Sequence, residues 1–284
     1  MRKKIIIILT VLLVLLLGLL SYKLIQIYNE DRLALAEYNL YGSSAYVMKV
    51  SDEEIENLEI TIDEEVNLEE VTPEELYAEQ IKIQRGINWN AFRNKNEDFI
   101  GIISIPELDM WYPIVQNSEA DPDFYLSHTY SKEKNSSGAI FLDYLFHKDF
   151  SDNHAIMFGH NMKNMTMFGA FRTFIENDYT NDFYLYVYQQ DQILVYKITA
   201  AYLTEPGSID YWAQLPTDKE YVRYYTHAVK MAKYLKLDDL TKKAYANSNP
   251  LLTLSTCHAS DHSNYTIVQS ILIERIMISD EKVN

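Results

Sequence analysis

The chain contains one cysteine, Cys257, and its position indicates a nucleophile. It follows an apolar stretch, 251–256, that is typical of a strand, and a polar stretch, 258–264, comes next. The end of a strand holds a side chain rigidly, and the following loop gives solvent access. A thiol in such a place acts as a nucleophile when a base or a cation beside it favours the thiolate. An inert buried cysteine is the alternative, which the flanking pattern disfavours.

His160 is the candidate base. It follows a second predicted strand, 155–158, and Gly159 between them allows a sharp turn that presents the imidazole over the strand end. Histidine exchanges protons near neutral pH, so His160 and Cys257 together fit catalysis by a thiolate. A histidine with a structural role is the alternative. The other six histidines fall in predicted loops or helices and are expected to be solvated: His128, His147, His154, His227, His258 and His262.

The larger part of the chain has the pattern of short strands. Segments rich in Ile, Val and Tyr recur at a spacing that points to a closed or nearly closed barrel. One helix, 218–235, interrupts them before the last two strands. Two helices are expected ahead of the barrel, because Thr72 and Pro73 resemble a helix cap and first position and a short helix is predicted around Trp89. The predicted strands are 99–106, 110–115, 139–142, 155–158, 184–188, 193–202, 251–256 and 266–278.

The N-terminus has the pattern of a membrane anchor. Three basic residues, 2–4, precede an apolar run, 5–20. The run is short for a membrane span and is similar to a signal peptide, but no small-residue cleavage site follows it. We therefore predict an uncleaved single-pass anchor over 1–23, with the basic end inside and the remainder outside the cell membrane. A buried core helix fits poorly, because the run is apolar on every face.

The net charge of −16 is concentrated in one segment. Residues 51–80 contain 13 Asp and Glu and no Lys or Arg, whereas the rest of the chain is nearly balanced. We predict a juxtamembrane and acidic stalk over 24–71 and a catalytic domain over 72–284, with N-terminal helices at 72–98 and a barrel at 99–284. No basic patch favours nucleic acid as a partner.

Five segments resemble the sortase family, in the family's order along the chain. The segment 253–257 (Thr-Leu-Ser-Thr-Cys) matches the sortase signature Thr-Leu-x-Thr-Cys, and 159–163, followed by Met167 and Phe168, resembles the histidine region of class B sortases. The N-terminal helices and the helix at 218–235 are also class B traits. Three more segments resemble family strands: 101–106, 112–116 and 138–143.

The resemblance implies a mainly β fold: an eight-stranded barrel with N-terminal helices and one helix before the last two strands, behind a transmembrane anchor. It implies a transpeptidase that cuts surface proteins at a C-terminal sorting signal after threonine, with a thioacyl intermediate on Cys257, and transfers them to an amine of a peptidoglycan precursor. His160 would protonate the leaving amine and deprotonate the incoming one. Ser255 and the backbone N–H of His258 would contact the substrate or the oxyanion. No cofactor and no metal are expected.

One position departs from the family pattern. Sortases carry an arginine at the start of the last strand, and Tyr265 stands there in this chain. Arg275 lies ten residues further on, about 33 Å along a strand, and no local pattern favours Arg172 or Arg223. Loss of a charged oxyanion donor costs on the order of 100- to 1000-fold in rate. Tyr265 could donate one hydrogen bond instead, or a histidine of the loop after Cys257 could supply the cation.

Two other functions stay open at this point. A cysteine hydrolase, or thiol protease, would use the same Cys257 and His160 with water as the acceptor. A sortase-like domain with weak or no turnover would bind sorting signals or a partner, and Tyr265 favours it. A metal site formed by 257–262 is the weakest interpretation, because its ligands are crowded into one short loop.

Overall fold

The computed structural model describes most of the chain. It covers residues 2–43, 46–47, 73–116, 118–205, 207–208, 210, 215, 217–257 and 264–278, and it leaves the side chains of residues 2–8, 73–77 and 257 outside the description.

Eight strands close into a barrel. Around the ring the order is β1-β2-β3-β4-β8-β9-β6-β5, and β5 pairs with β1 to complete it. All eight predicted strands are confirmed, and a short ninth strand, β7, pairs with β6 outside the ring. In chain order the strands are β1 Phe99–Ile105, β2 Met110–Val115, β3 Ile140–Leu142, β4 His154–Phe158, β5 Tyr184–Tyr188, β6 Gln192–Thr204, β7 Tyr234–Leu235, β8 Leu251–Cys257 and β9 Tyr265–Met277.

The barrel strands are buried along almost their whole length. In β6 every residue except Leu203 is buried, which shows that both faces of the strand are covered. The ladder between β6 and β9 shifts register at Val195/Tyr196 and at Ile198/Ala200. Such irregularities bend and twist a long strand, and they allow these two strands of 13 residues to follow the curvature of a closed barrel.

Six α-helices accompany the barrel in the described part of the chain. The second begins at Pro73, as predicted, whereas the expected cap Thr72 lies outside the described residues. The prediction of one helix over 218–235 needs correction: that helix ends at Met231, and another follows β7. Asp238 caps this further helix through a capping box, in which the side chains of Asp238 and Thr241 each accept from the backbone N–H of the other. The helix has only eight residues, and its pattern in the sequence was overlooked. The helices are α1 Arg2–Tyr41, α2 Pro73–Gly86, α3 Trp89–Lys95, α4 Arg172–Glu176, α5 Asp218–Met231 and α6 Asp239–Ala246.

Helix α1 joins the predicted anchor to the barrel without a break. Its part from Leu9 to Tyr41 is long and apolar enough to cross a membrane, with a mean hydropathy of 2.1 in its most apolar window. The structure differs from the predicted stalk at its start, because Ala34, Tyr38 and Tyr41 are buried against the domain. The acidic residues 51–72 lie outside the described part, and their role as a spacer stays a prediction.

His154 is buried, contrary to the expectation of a solvated histidine. It is the first residue of β4 and has no exposed surface. Its Nε2 lies 3.1 Å from the hydroxyl of Thr253 on the neighbouring strand β8. The sequence misled because the strand starts one residue earlier than its apolar run.

Lys197 is a buried cation in the middle of β6, only 1% exposed. Its Nζ donates to Asp182 at 2.7 Å and to Asp238, which also caps α6. A buried ammonium group needs such partners, because its transfer out of water without a counter-ion would cost several kcal/mol. The ion pairs therefore tie β6 to α6 and to the segment ahead of β5.

We predict an acid-dependent loss of stability at Asp238. Burial alone would raise the pKa of this carboxyl, but hydrogen bonds from Lys197 and Thr241 outweigh burial and lower the pKa to about 2. The pKa of an unfolded aspartate is about 3.9, so the pair stabilises the fold fully above that pH and loses its contribution as the pH falls from about 4 to 2.

Thermal unfolding of the detergent-solubilised chain at pH 7, 4 and 2.5 checks this. Asp238→Asn keeps a capping side chain but removes the charge, and it should lower the melting temperature at pH 7 and show a smaller drop between pH 4 and 2.5. The matched control is Asp239→Asn at the fully exposed neighbouring position. Equal pH dependence of Asp238→Asn and the wild type would contradict the assignment.

Candidate active site

The ends of β4 and β8 bring the predicted catalytic pair to one edge of the barrel. The two strands run parallel with Phe158 opposite Ser255, and the N–H of Gly159 donates to the Ser255 carbonyl at 3.3 Å. Two residues beyond this pair the chain reaches His160 on one side and Cys257 on the other. The backbone of Cys257 is described, and it stands opposite Tyr265 of β9.

A cavity of about 460 Å³ opens at this edge. Of the residues predicted for the site, His160, Ser255 and Tyr265 line it, and Thr256 adds to its wall. His258 lies outside the described residues, as does most of the loop that the metal interpretation requires. The volume is in the range of ordinary ligand pockets and is sufficient for a short peptide segment.

The imidazole of His160 has a defined hydrogen-bonding state. Its Nε2 lies 2.6 Å from the carbonyl oxygen of Leu126. A carbonyl can only accept, so Nε2 must carry a proton and donate it. In the neutral imidazole Nδ1 is then the ring nitrogen without a proton, and it can accept a hydrogen bond or a proton.

Two glycines shape the surroundings of His160. At Gly138, with φ of +59°, an added Cβ would lie 2.5 Å from the Tyr125 carbonyl oxygen and 3.0 Å from Cδ2 of His160. At Gly159 it would lie 2.4 Å from Ile140. Gly159 has no positive φ, so lack of space rather than a special turn requires glycine there, which corrects the reason inferred from the sequence.

The loop after His160 returns to it and is held by an arginine. The N–H of Phe168 donates to the His160 carbonyl at 3.0 Å. The guanidinium of Arg172 donates to the carbonyls of Met162 and Lys163, both at 3.2 Å. Arg172 thus fixes the loop by its backbone.

The charge of the cavity differs from the family expectation. Among the described residues that line it, none is Arg or Lys, and Tyr265 occupies the expected position. Arg275 binds the Phe150 carbonyl at 3.1 Å near the opposite end of β9. Asp123 and Asp143 line the cavity, and burial raises the pKa of Asp143.

Sequence reasoning missed the groups that support His160. The Leu126 carbonyl is a backbone group and leaves no side-chain signature. Gly138 is visible in the sequence as a glycine that directly precedes the strand segment 139–142. Its contact with the imidazole joins two segments more than 20 residues apart.

Comparison with known proteins identifies the family of the barrel domain. A family model for the sortase domain matches residues 103–271. Sortase B of Listeria monocytogenes is 29% identical over 163 residues, a match that spans 57% of this chain and 63% of that protein. Sortase B of Staphylococcus aureus is 21% identical over an alignment 291 positions long, which covers 97% of this chain and 98% of that protein.

Solved structures show the same fold. Clostridium perfringens sortase B superimposes with a TM-score of 0.57 and 24% identity, covering 65% of this chain and 98% of that chain. Listeria monocytogenes sortase B gives a TM-score of 0.52 and 26% identity, covering 64% and 99%. The family model spans more than half of the present sequence, and the barrel, its N-terminal helices and its motifs agree with class B. The chain belongs to the sortase family and is a class B-like member.

Proposed function

We propose that this protein is a membrane-anchored cysteine transpeptidase. It cleaves a C-terminal sorting signal after threonine and transfers the protein to an amine of a peptidoglycan precursor, without a cofactor. The observation that carries the proposal is the parallel pairing of β4 and β8: His160 lines the cavity, and the backbone of Cys257 directly follows the lining residue Thr256. Membership in the sortase family supports the reaction type.

The first half of the reaction forms a thioester. The Cys257 thiol gives its proton to Nδ1 of His160, and the thiolate attacks the carbonyl carbon of the threonine. The tetrahedral intermediate collapses, the peptide bond breaks, and the leaving amine takes the proton from Nδ1. Throughout, Nε2 keeps its own proton and donates a hydrogen bond to the Leu126 carbonyl, so the ring holds its orientation.

The second half transfers the acyl group. An amine enters, loses a proton to Nδ1 of His160 and attacks the thioester carbonyl. Collapse of the second intermediate forms a new amide, and the sulfur of Cys257 leaves and regains the proton. One peptide bond is broken and one amide is formed, and nothing is oxidised or reduced.

The oxyanion and the substrate need donors at the cavity edge. We assign these roles to Tyr265, to Ser255 and to the backbone N–H of His258. Tyr265 stands opposite Cys257 in the ladder and lines the cavity. A phenol donates one neutral hydrogen bond where a guanidinium would donate a charged pair, so its stabilisation of the oxyanion is weaker.

The apolar part of α1 supports a location of this chemistry at a membrane. Its basic N-terminal residues belong on the cytoplasmic side by the positive-inside rule, which puts the barrel outside the cell. Its partners there are surface proteins that carry a sorting signal and a peptidoglycan precursor that carries the amine.

Mass spectrometry of the full chain in detergent, mixed with a panel of sorting peptides, tests the proposal. We expect an acyl adduct on Cys257 in the wild type and none in Cys257→Ala. His160→Gln should slow product formation by about 100-fold or more, the range for a lost general acid–base. The matched control His147→Gln changes an exposed histidine that pairs with Asp152, and it should have little effect.

The acceptor separates transpeptidation from hydrolysis. Added amine should appear in the product and accelerate its release. Product formation that is indifferent to the amine would overturn the transpeptidase proposal and favour the hydrolase.

A second prediction concerns Tyr265. Tyr265→Phe removes the hydroxyl and should lower kcat/KM about 10-fold, since one hydrogen bond in the transition state is worth roughly 1.4 kcal/mol. The control Tyr144→Phe removes another hydroxyl from a residue of the cavity lining and should change kcat/KM less than twofold.

The alternative of a binding domain with weak turnover rests on the lack of a cation among the described cavity residues. It predicts peptide binding that survives Cys257→Ala, no adduct in the wild type and no effect of Tyr265→Phe on turnover.

A further inference from the structure

The anchor helix contacts the segment that holds the catalytic histidine. Residues 124–139, termed here the support segment, contain both the Leu126 carbonyl and Gly138. The carboxylate of Glu37 on α1 accepts from the N–H and the hydroxyl of Ser131 in this segment, at 2.9 and 2.7 Å. Further along the helix, the Glu30 carbonyl accepts from Asn135 at 3.1 Å. The support segment is therefore fixed to α1 over about two helical turns.

Tyr38 of α1 contacts the support segment at Gly138, next to His160. Its hydroxyl donates to the Gly138 carbonyl at 2.6 Å, in a buried position. The Cα of Gly138 faces the His160 ring so closely that a Cβ there would lie 3.0 Å from Cδ2. A single hydrogen bond thus connects the anchor helix to Gly138, the residue that packs against the imidazole.

Tyr38 also contacts the second support of His160. Its ring meets Tyr112 of β2 edge to face, with 5.3 Å between the ring centroids. The Tyr112 hydroxyl accepts from the N–H of Met167 at 2.9 Å. The next residue, Phe168, donates its N–H to the His160 carbonyl. The same side chain therefore supports His160 from the Gly138 side and from the returning loop.

We propose that Tyr38 of the anchor helix is a positioning residue for His160. It acts through Gly138 and Tyr112 and touches no reacting atom, and the inference rests on the proposed pairing of His160 with Cys257. Tyr38 is absent from the described lining of the catalytic cavity. Its loss should thus change how the imidazole is held and leave peptide binding unchanged.

The test uses the lone cysteine of the full-length chain in detergent micelles. Iodoacetamide labels Cys257 only, since the chain has no other cysteine. The pH dependence of the labelling rate reports how well the imidazole favours the thiolate, and no peptide substrate is needed. Tyr38→Phe removes only the hydroxyl, and we expect labelling at pH 7 to slow about 3- to 10-fold, the range for one lost hydrogen bond. The midpoint of the profile should move to higher pH.

Turnover gives an independent measurement. With a sorting peptide, Tyr38→Phe should lower kcat by a similar factor and change KM less than twofold. The matched control is Tyr41→Phe, because the Tyr41 hydroxyl lies on the same helix and contacts Glu37 and Ser131. Its labelling profile should superimpose on that of the wild type.

Two results would overturn the inference: an unchanged profile in Tyr38→Phe, or the same shift in Tyr41→Phe, which would show that any loosening of the helix suffices. His160→Gln identifies a failure of the proposed function separately. If its labelling profile equals the wild type, His160 does not pair with Cys257. If labelling shifts in His160→Gln and Tyr38→Phe but no peptide adduct forms, the positioning role stands and the transpeptidase proposal fails.

Discussion

The parallel pairing of β4 with β8 is the constraint on which the rest of the structure depends. Five residue pairs, from His154 opposite Leu251 to Phe158 opposite Ser255, fix its register. Parallel neighbours require a long crossover, and here the crossover carries β5, β6, β7 and three helices. The pairing that helps to close the barrel therefore also brings the backbone positions of His160 and Cys257 to one edge. A slip by one residue would turn every side chain of β8 to the opposite face.

The sequence reveals this arrangement because its signals are local. Each barrel strand is an apolar run bounded by polar residues. His160 and Cys257 can be identified as candidates because they follow such runs. Features that depend on contacts between distant segments left no comparable signal. The burial of Lys197 relies on Asp182 and Asp238, and the burial of His154 relies on Thr253. Tyr38 meets Gly138 a hundred residues away, so the docking of α1 could not be read from either segment alone.

The site also shows why family motifs describe only part of a catalytic centre. The motifs contain the proposed nucleophile and the proposed base, but backbone groups orient the base. The Leu126 carbonyl selects the tautomer of His160, and Gly138 and Gly159 leave the room its segment occupies. Every residue type has a backbone carbonyl, so the hydrogen bond to His160 constrains the backbone position of residue 126 but not its side chain.

The continuity of α1 limits how far the barrel can lie from the apolar part of the helix. Tyr28 is still exposed, and Ala34, the first buried residue among the described side chains of the helix, follows about 9 Å further along the axis. With the apolar part of α1 in the bilayer as proposed, the barrel is held just above the lipid headgroups. Its reach is then a thin layer next to the membrane, and freely diffusing proteins farther out are beyond it. Substrates that are themselves held in the same membrane meet it by lateral diffusion, a search in two dimensions at high effective concentration.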